Sequence, residues 1–333
     1  MKYGFKLIHI NMNIIKDFIY DLSQTLPMSR GTDSSFYSFV KEEFELYISR
    51  LNSLPKEDFE RFLESANEMC GNASARRFIN LISDIQKQCL LILQSAYKGD
   101  LLSADRRLER LLTVQEPTKH RLCDMLVNYF VLRRELGKTF YRCVDFGEGE
   151  TPNDCWHLPF NLKYKAARGR FNQLGTICMY VCNSKECANR ESGPVKEQSI
   201  RWVGEFKPKQ GICLYNLVVP SKEYIENMSV YEQFCFLLTY PFHVLCLTKA
   251  KHPEVSFIEE YLFSQLFFHM LFLQSNDKCP KFDGICYTSM QVTDAVNIVI
   301  PAKYEEEEPP MKGHSKYVKS LLGEVRKPYQ YSK

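Results

Sequence analysis

The sequence lacks the glycine-rich signatures of the common phosphate-binding loops. Neither G-x-G-x-x-G nor G-x-x-x-x-G-K-[ST] occurs in the 333 residues, so a Rossmann dinucleotide site or a P-loop nucleoside triphosphatase has no sequence support. A charge excess is also lacking, since 43 basic and 40 acidic residues leave a formal net charge of +3. Proteins that bind the nucleic-acid backbone usually carry a larger basic excess. We therefore expect no direct contact with nucleic acid.

Long apolar runs are equally scarce. The longest, Phe234 to Leu247, contains Thr239, Pro241 and His243 and is shorter than the roughly 18 residues that a membrane span needs. The chain opens without a basic segment, an apolar stretch and a small-residue cleavage site. Its 13 cysteines are an odd number, and outside an oxidising compartment they are expected to be reduced. These features predict a soluble, cytoplasmic protein without membrane contact.

The composition is that of a globular protein, with 45% hydrophobic and 25% charged residues. The length favours two domains or one domain with an appendage. Apolar residues at helical spacing predict four helices in the first part of the chain. These helices cover Phe36 to Leu54, Ala75 to Gly99, about Ser103 to Thr113, and Asp124 to Leu136.

After Gly137 the pattern changes to short β-branched, aromatic or cysteine-rich pieces bounded by turn residues. The predicted strands are Lys138–Cys143, Thr176–Cys182, Trp202–Phe206 and Gly211–Val219. A short helix capped by Ser184 and a longer one from about Ser256 to Leu273 are predicted between and after them. The fold class is therefore α+β: a helical domain over 1–136, a mixed domain over 137–304, and a charged tail over 305–333.

Three cysteines lie close together in the sequence, which raises the question of a metal site. Cys178, Cys182 and Cys187 are spaced C-x3-C-x4-C, and no second pair follows at the distance typical of a structural zinc site. Cys178 and Cys182 share one strand face, whereas Cys187 lies beyond the turn. We expect no metal.

The densest group of chemically capable residues lies between 168 and 191. Its blocks are Arg168-Gly169-Arg170-Phe171-Asn172-Gln173-Leu174-Gly175, Met179-Tyr180, and Ala188-Asn189-Arg190-Glu191. This region resembles the RES domain, whose pattern is G-R-[WF]-N-x-x-G, a strand ending in Tyr, and a helix carrying Glu. Downstream, Asp283-Gly284-Ile285-Cys286-Tyr287-Thr288-Ser289 is similar to the D-G-[IV]-x-Y-x-S stretch of that family, and Asn297-Ile298-Val299 to the strand after it.

The resemblance covers about Thr139 to Tyr304, with Phe140-Tyr141-Arg142 as the opening strand, and it includes departures. Arg168 stands where Gly is common, Phe171 replaces the commoner Trp, and the stretch from Glu191 to Ser289 is long for a compact member. RES proteins are NAD-degrading toxins with a fold similar to ADP-ribosyltransferases, and some use phosphate to split NAD. The resemblance thus implies a toxin or defence effector that arrests growth, usually restrained by a DNA-binding antitoxin, with NAD as a substrate and no separate cofactor.

The implied site residues suit this chemistry. Cleaving the nicotinamide–ribose bond passes through an oxocarbenium-like transition state, which a carboxylate can stabilise. Arginine can hold a pyrophosphate with two parallel hydrogen bonds, and an aromatic face can stack on nicotinamide. The residues expected to be catalytic are Glu191, Arg170, Tyr180 and Ser289. Those expected to bind NAD are Arg142, Arg168, Asn172, Tyr287 and Asn297.

Several alternatives stay open from the sequence. The acceptor of the ADP-ribosyl group is phosphate, water or a macromolecule, the last making the protein an ADP-ribosyltransferase. Arg142, Arg168 and Arg170 compete for the pyrophosphate. A catalytically silent interaction protein that keeps the fold is the alternative from another functional class.

Overall fold

The computed structural model describes residues 13–31, 34–66, 74–113, 138–273, 282–304 and 313–332. Five helices occupy the described part of the first 113 residues. They are α1 (Asn13–Gln24), α2 (Phe36–Asn52), α3 (Lys56–Ser65), α4 (Ala75–Tyr97) and α5 (Leu101–Thr113). The helices predicted at 36–54, 75–99 and 103–113 are confirmed, and the one predicted over 124–136 lies outside the described residues.

Local signals explain the ends of these helices. The Ser35 hydroxyl accepts a hydrogen bond from the Ser38 N–H at 3.1 Å and caps α2, while Gly99, at φ +78°, follows α4. Pro55 lies at the N-cap of α3, where its missing N–H costs nothing because the first amides of a helix have no helical partners.

From residue 140 onward, strands and helices are mixed. The strands are β1 (Phe140–Gly147), β2 (Cys178–Cys182), β3 (Ser199–Pro208), β4 (Leu214–Leu217), β5 (Gly284–Thr288), β6 (Val296–Pro301), β7 (Leu322–Glu324) and β8 (Tyr329–Gln330). The helices are α6 (Lys185–Glu191), α7 (Lys222–Asn227), α8 (Val230–Leu247), α9 (Leu262–Phe268) and α10 (Lys316–Leu321). Short 3₁₀ helices cover Phe160–Lys165 and Glu259–Tyr261, and a π-helical turn, His269–Leu273, extends α9.

All eight strands form one sheet in the order β4-β5-β6-β2-β1-β3-β7, with β8 also pairing with β3. Only the β4–β5 pair is parallel among the described pairs. The chain is therefore mixed α+β, as the sequence predicts. In the segment expected to be a tail, β7 and β8 extend this sheet beside β3. The single helix predicted over 256–273 is divided into 3₁₀, α and π turns.

The most apolar of the described helices, α8, is almost entirely buried. Ser229 and Glu232 form a reciprocal capping box at its start. Val230–Leu247 is the described helix long and apolar enough to cross a membrane, yet 83% of it is buried inside the protein, as in the core helix of a soluble protein. Helices α1 to α4 pack against it, and one hydrophobic cluster runs from these helices through α8 to Tyr287 and Val299 of the sheet.

Two buried histidines make the stability of the fold depend on pH. Burial lowers the pKa of His157 and of His243 from 6.5 to about 4. The Ser315 N–H donates to His157 Nε2, which requires this nitrogen to be unprotonated. The unfolded chain binds these protons from pH 6.5 downward and the folded chain only near pH 4, so stability falls as the pH falls through that interval.

We expect the free energy of unfolding to fall by about 2 kcal/mol for each of these histidines between pH 7.5 and pH 5. Urea denaturation at the two pH values measures this change. His243→Phe should remove about half of it, because the ring at this position then binds no proton. An equal pH dependence in the variant and the wild type would contradict the assignment.

Candidate functional site

A cavity of about 1090 Å³ opens beside β1 and β2 and is bounded by α6, the loop 165–177 and the segment 249–261. This volume is sufficient for a dinucleotide-sized ligand. Eight of the nine residues proposed from the sequence line it: Arg142, Arg168, Arg170, Asn172, Tyr180, Tyr287, Glu191 and Asn297. The ninth, Ser289, is buried behind Glu191 and contacts its carboxylate.

Glu191 is the last residue of α6, a helix whose first turn is capped by Ser184 as predicted. Its Oε1 accepts hydrogen bonds from the Ser289 hydroxyl at 2.6 Å and the Asn297 amide at 2.7 Å. No hydrogen bond joins its Oε2 to any residue that the structure describes. Two fixed donors therefore orient one oxygen, and the other is available to a ligand in the cavity.

Both donors are themselves held in orientation. The Ser289 hydroxyl accepts from the backbone N–H groups of Gln291 and Val292 at 3.0 and 3.1 Å, which directs its own proton toward Glu191. Asn297 Oδ1 accepts from the thiols of Cys182 and Cys187 at 2.8 and 3.4 Å. Because an acceptor faces the thiols, the Asn297 NH₂ group faces Glu191.

The Cys182 thiol beside Asn297 stays available as a donor. The hydrogen bond with Cys187, together with burial, raises the pKa of Cys182, so the Cys182 thiol keeps its proton near neutral pH. Two of the three cysteines that lie close together in the sequence, Cys182 and Cys187, thus support Glu191 through Asn297. Within the described chain, no three His, Cys, Asp or Glu side chains are grouped so that they could hold a metal ion.

An ion pair that the sequence reasoning missed anchors the end of α6. Arg201 on β3 binds Asp145 on β1 through two hydrogen bonds of 2.7 and 2.9 Å, and both side chains are buried. Its Nη1 also donates to the carbonyls of Asn189 and Gly193 on either side of Glu191. Burial alone raises the pKa of Asp145, but Arg201 and the Lys196 N–H outweigh it and hold that pKa below its usual value.

We expect Arg201→Met to lower the free energy of unfolding by about 3 kcal/mol, because it leaves the Asp145 carboxylate buried without its partner. Urea denaturation at pH 7 measures the loss. The double variant Arg201→Met/Asp145→Leu is the matched control and should recover part of the stability, since no charge then stays buried. A single variant as stable as the wild type would contradict this role.

The loop from 167 to 176 is organised by Asn172. Its NH₂ group donates to the carbonyls of Ala167, Gln173 and Thr176 at 2.9 to 3.2 Å, and its Oδ1 accepts from the Tyr180 hydroxyl at 2.7 Å. A Cβ atom on Gly169 would lie 2.5 Å from this Oδ1, so only glycine fits there. Asn172 therefore shapes the cavity wall, and Tyr180 is fixed with its hydroxyl in that wall.

Arg170 joins this loop to α8. Its Nη1 donates to the carbonyls of Cys246 and Thr248 at 3.0 and 2.8 Å, which are free because they end the helix. Its guanidinium lies 4.8 Å from the centroid of the Tyr261 ring. The Nη1 group of Arg170 is thus already bound by the protein, although the residue lines the cavity.

Arg142 and Arg168 have no acidic partner among the described residues. Arg142 Nη1 donates to the Tyr180 carbonyl at 3.2 Å, while its buried Nε has no hydrogen-bond partner. Burial lowers the pKa of Arg142 from its usual value, which reflects a cation removed from water without a compensating carboxylate. Arg168 is half-buried at the cavity. An anionic ligand would compensate both charges.

Tyr287 supports the opposite wall from β5. It is 5% exposed, and its ring packs on Phe171 with centroids 4.9 Å apart. Burial, with a smaller effect of the Glu191 charge, raises its pKa, so the phenol stays neutral beside the carboxylate. Its position opposite Asn297 in the β5–β6 register brings both residues to the same part of the cavity.

The wall at 249–261 is tied to the N-terminal part of the chain, which no local sequence signal indicated. Arg30 Nε lies 2.6 Å from Glu260 Oε1, and both side chains are buried. The Phe36 N–H donates to Glu259 Oε2 at 2.8 Å, and the Lys249 N–H donates to the Met28 carbonyl at 2.8 Å. The helical part of the chain therefore holds one wall of the cavity in place.

Comparison of this chain with protein families, curated proteins and solved structures finds no match.

Proposed function

We propose that this chain is a RES-like enzyme with an ADP-ribosyltransferase-like catalytic half, which cleaves the nicotinamide–ribose bond of NAD. The observation that carries the proposal is the Glu191 carboxylate, oriented by Ser289 and Asn297, in a cavity also lined by Arg142 and Arg168, which have no carboxylate partner among the described residues. A fixed negative charge and separate cationic groups match a ligand that develops positive charge at its ribose and carries a pyrophosphate.

Glu191 supplies the transition-state stabilisation. As the bond to nicotinamide breaks, the electron pair leaves with nicotinamide and positive charge develops at C1′ and the ring oxygen of the ribose. A carboxylate held in place before the reaction stabilises this charge without having to reorganise. Phosphate or water then forms the new bond at C1′ and loses a proton. Tyr180 offers its ring to nicotinamide, and Tyr287 lines the same region.

The pyrophosphate is assigned to the arginines. Arg142 and Arg168 are favoured because neither has a carboxylate partner among the described residues, and guanidinium groups bind phosphate oxygens in pairs. Arg170 contributes through the nitrogens that the α8 carbonyls do not use, and it fixes the loop that carries Arg168. Asn172 and Asn297 act in the site by orienting Tyr180 and Glu191.

In a cell, such an activity consumes NAD and arrests growth, as expected of a cytoplasmic toxin or defence effector. A DNA-binding antitoxin or another regulatory protein that covers the cavity is the kind of partner this activity needs, because free enzyme would deplete the NAD of its host.

The test is to incubate the purified protein with NAD, with and without phosphate, and to follow free nicotinamide by chromatography. We expect nicotinamide release, with mass spectrometry of the second product separating ADP-ribose 1″-phosphate from ADP-ribose. Intact NAD in the presence of folded protein would contradict the proposal. ADP-ribose found only on protein would favour a transferase instead.

A further inference from the structure

The cavity carries more positive charge than NAD requires. Six cationic side chains line it, Arg142, Lys165, Arg168, Arg170, Lys196 and Lys249, against two carboxylates, Asp145 and Glu191. Asp145 is already paired with Arg201. NAD brings two phosphate charges and a cationic nicotinamide ring, so it would leave most of this charge uncompensated.

The cations that make up the excess positive charge fall into two groups, which lie on different elements. Arg142 on β1 and Lys196 after α6 belong to the part of the lining that β1 and the end of α6 form. Lys165 and Arg168 belong to the loop, and Lys249 directly follows α8 and Thr248, whose carbonyl binds Arg170. None of these three loop-side cations forms an ion pair with the described residues. The loop side can therefore bind a phosphate group beyond the pyrophosphate.

The loop-side cations are attached to a fixed backbone. The Lys249 N–H donates to the Met28 carbonyl at 2.8 Å, and Arg170 donates to the carbonyl of the preceding residue, Thr248. Downstream, Glu260 accepts from the Lys251 N–H at 3.2 Å and from Arg30. On the other side, Gln265 Nε2 donates to the carbonyls of Gly169 and Asn172 at 2.9 and 3.1 Å. The Ala166 N–H, directly after Lys165, donates to the Lys163 carbonyl at 2.9 Å. These contacts hold the backbone next to both lysines.

We infer that the site takes a 2′-phosphorylated dinucleotide, NADP, in preference to NAD, with Lys165 and Lys249 binding the 2′-phosphate. The inference rests on the proposed function for the reaction itself. A phosphate monoester adds about 1.5 to 2 negative charges at pH 7, which is the charge that the loop side leaves uncompensated. Lysine suits this group because a compact ammonium can approach it from many directions.

The experiment compares NAD with NADP as substrates for the full chain, and 5′-AMP with adenosine 2′,5′-bisphosphate as ligands in calorimetry. We expect kcat/KM to be at least about tenfold higher for NADP, and the bisphosphate to bind at least about tenfold more tightly than 5′-AMP. The preference should shrink as salt is raised, because exposed charges are screened. Equal or weaker use of NADP would overturn the inference while leaving NAD cleavage intact.

Substitutions distinguish a specific effect of Lys165 and Lys249 from the effect of the overall positive charge of the cavity. Lys165→Gln/Lys249→Gln should raise KM for NADP about tenfold or more and change KM for NAD less than about twofold. Lys196→Gln, which changes the cation after α6, is the matched control. It should leave the ratio of kcat/KM for NADP to kcat/KM for NAD unchanged. A loss of preference in the control, or none in the double variant, would overturn the assignment. If neither dinucleotide is cleaved, the proposed function fails, and the calorimetric comparison still decides whether the 2′-phosphate is recognised.

Discussion

Glu191→Gln is expected to lower kcat for nicotinamide release by about a hundredfold or more, with the protein still folded. Glutamine has nearly the same shape, and its amide oxygen can accept the hydrogen bonds that Ser289 and Asn297 donate to Oε1. The negative charge is lost, and this charge matters most when the ribose becomes cationic. Single-turnover nicotinamide release with excess enzyme measures the chemical step directly.

The matched control for this variant is Glu186→Gln on the same helix. Glu186 is exposed and pairs with Arg190 at 3.1 Å, so its loss should change turnover less than about twofold, as for most surface ion pairs. Circular dichroism and urea denaturation establish that both variants are folded. Near-normal turnover in a folded Glu191→Gln protein would remove Glu191 from the mechanism.

Removing the N-terminal part of the chain is expected to abolish soluble, folded protein. A chain that begins at Lys138 would contain all nine proposed site residues, yet it would expose the face of α8 that α1 to α4 now cover. Phe234 packs on Phe78 with ring centroids 5.1 Å apart, and the Tyr47 hydroxyl donates to the Leu237 carbonyl at 2.6 Å. An apolar surface of this kind promotes aggregation.

Solubility on expression and size-exclusion chromatography of the shortened chain measure this effect, and co-expression of residues 1–137 as a separate chain is the rescue control. We expect rescue, because the same surfaces are then present. A monomeric shortened chain that unfolds cooperatively and cleaves NAD would contradict the structural dependence and would favour two independent domains divided near residue 137.

The local elements could be predicted from the sequence because their signals are local. Apolar spacing predicted α2, and apolar spacing with the glycine at its end predicted α4. Ser184 likewise marked α6, which carries Glu191. The π turn at His269–Leu273 was missed since its apolar residues match a regular helix equally well.

The site was predicted as a set of residues, whereas its contacts come from the fold. Ser289 reaches Glu191 across 98 positions, and only the β5–β6 register and the end of α6 bring them together. The pairs Arg201–Asp145 and Arg30–Glu260 were missed because a single charged residue gives no indication of a distant partner. The resemblance identified Arg170, but its contact with the end of α8 follows from packing that no local pattern describes.

A crystal structure of the Glu191→Gln variant with NAD would show directly whether the cavity binds the substrate, because slow turnover keeps NAD intact. We expect NAD in the cavity, with C1′ of the nicotinamide ribose beside position 191 and the pyrophosphate against Arg142 and Arg168. NAD bound elsewhere, or an empty cavity at saturating NAD in a lattice that leaves it open, would contradict this expectation.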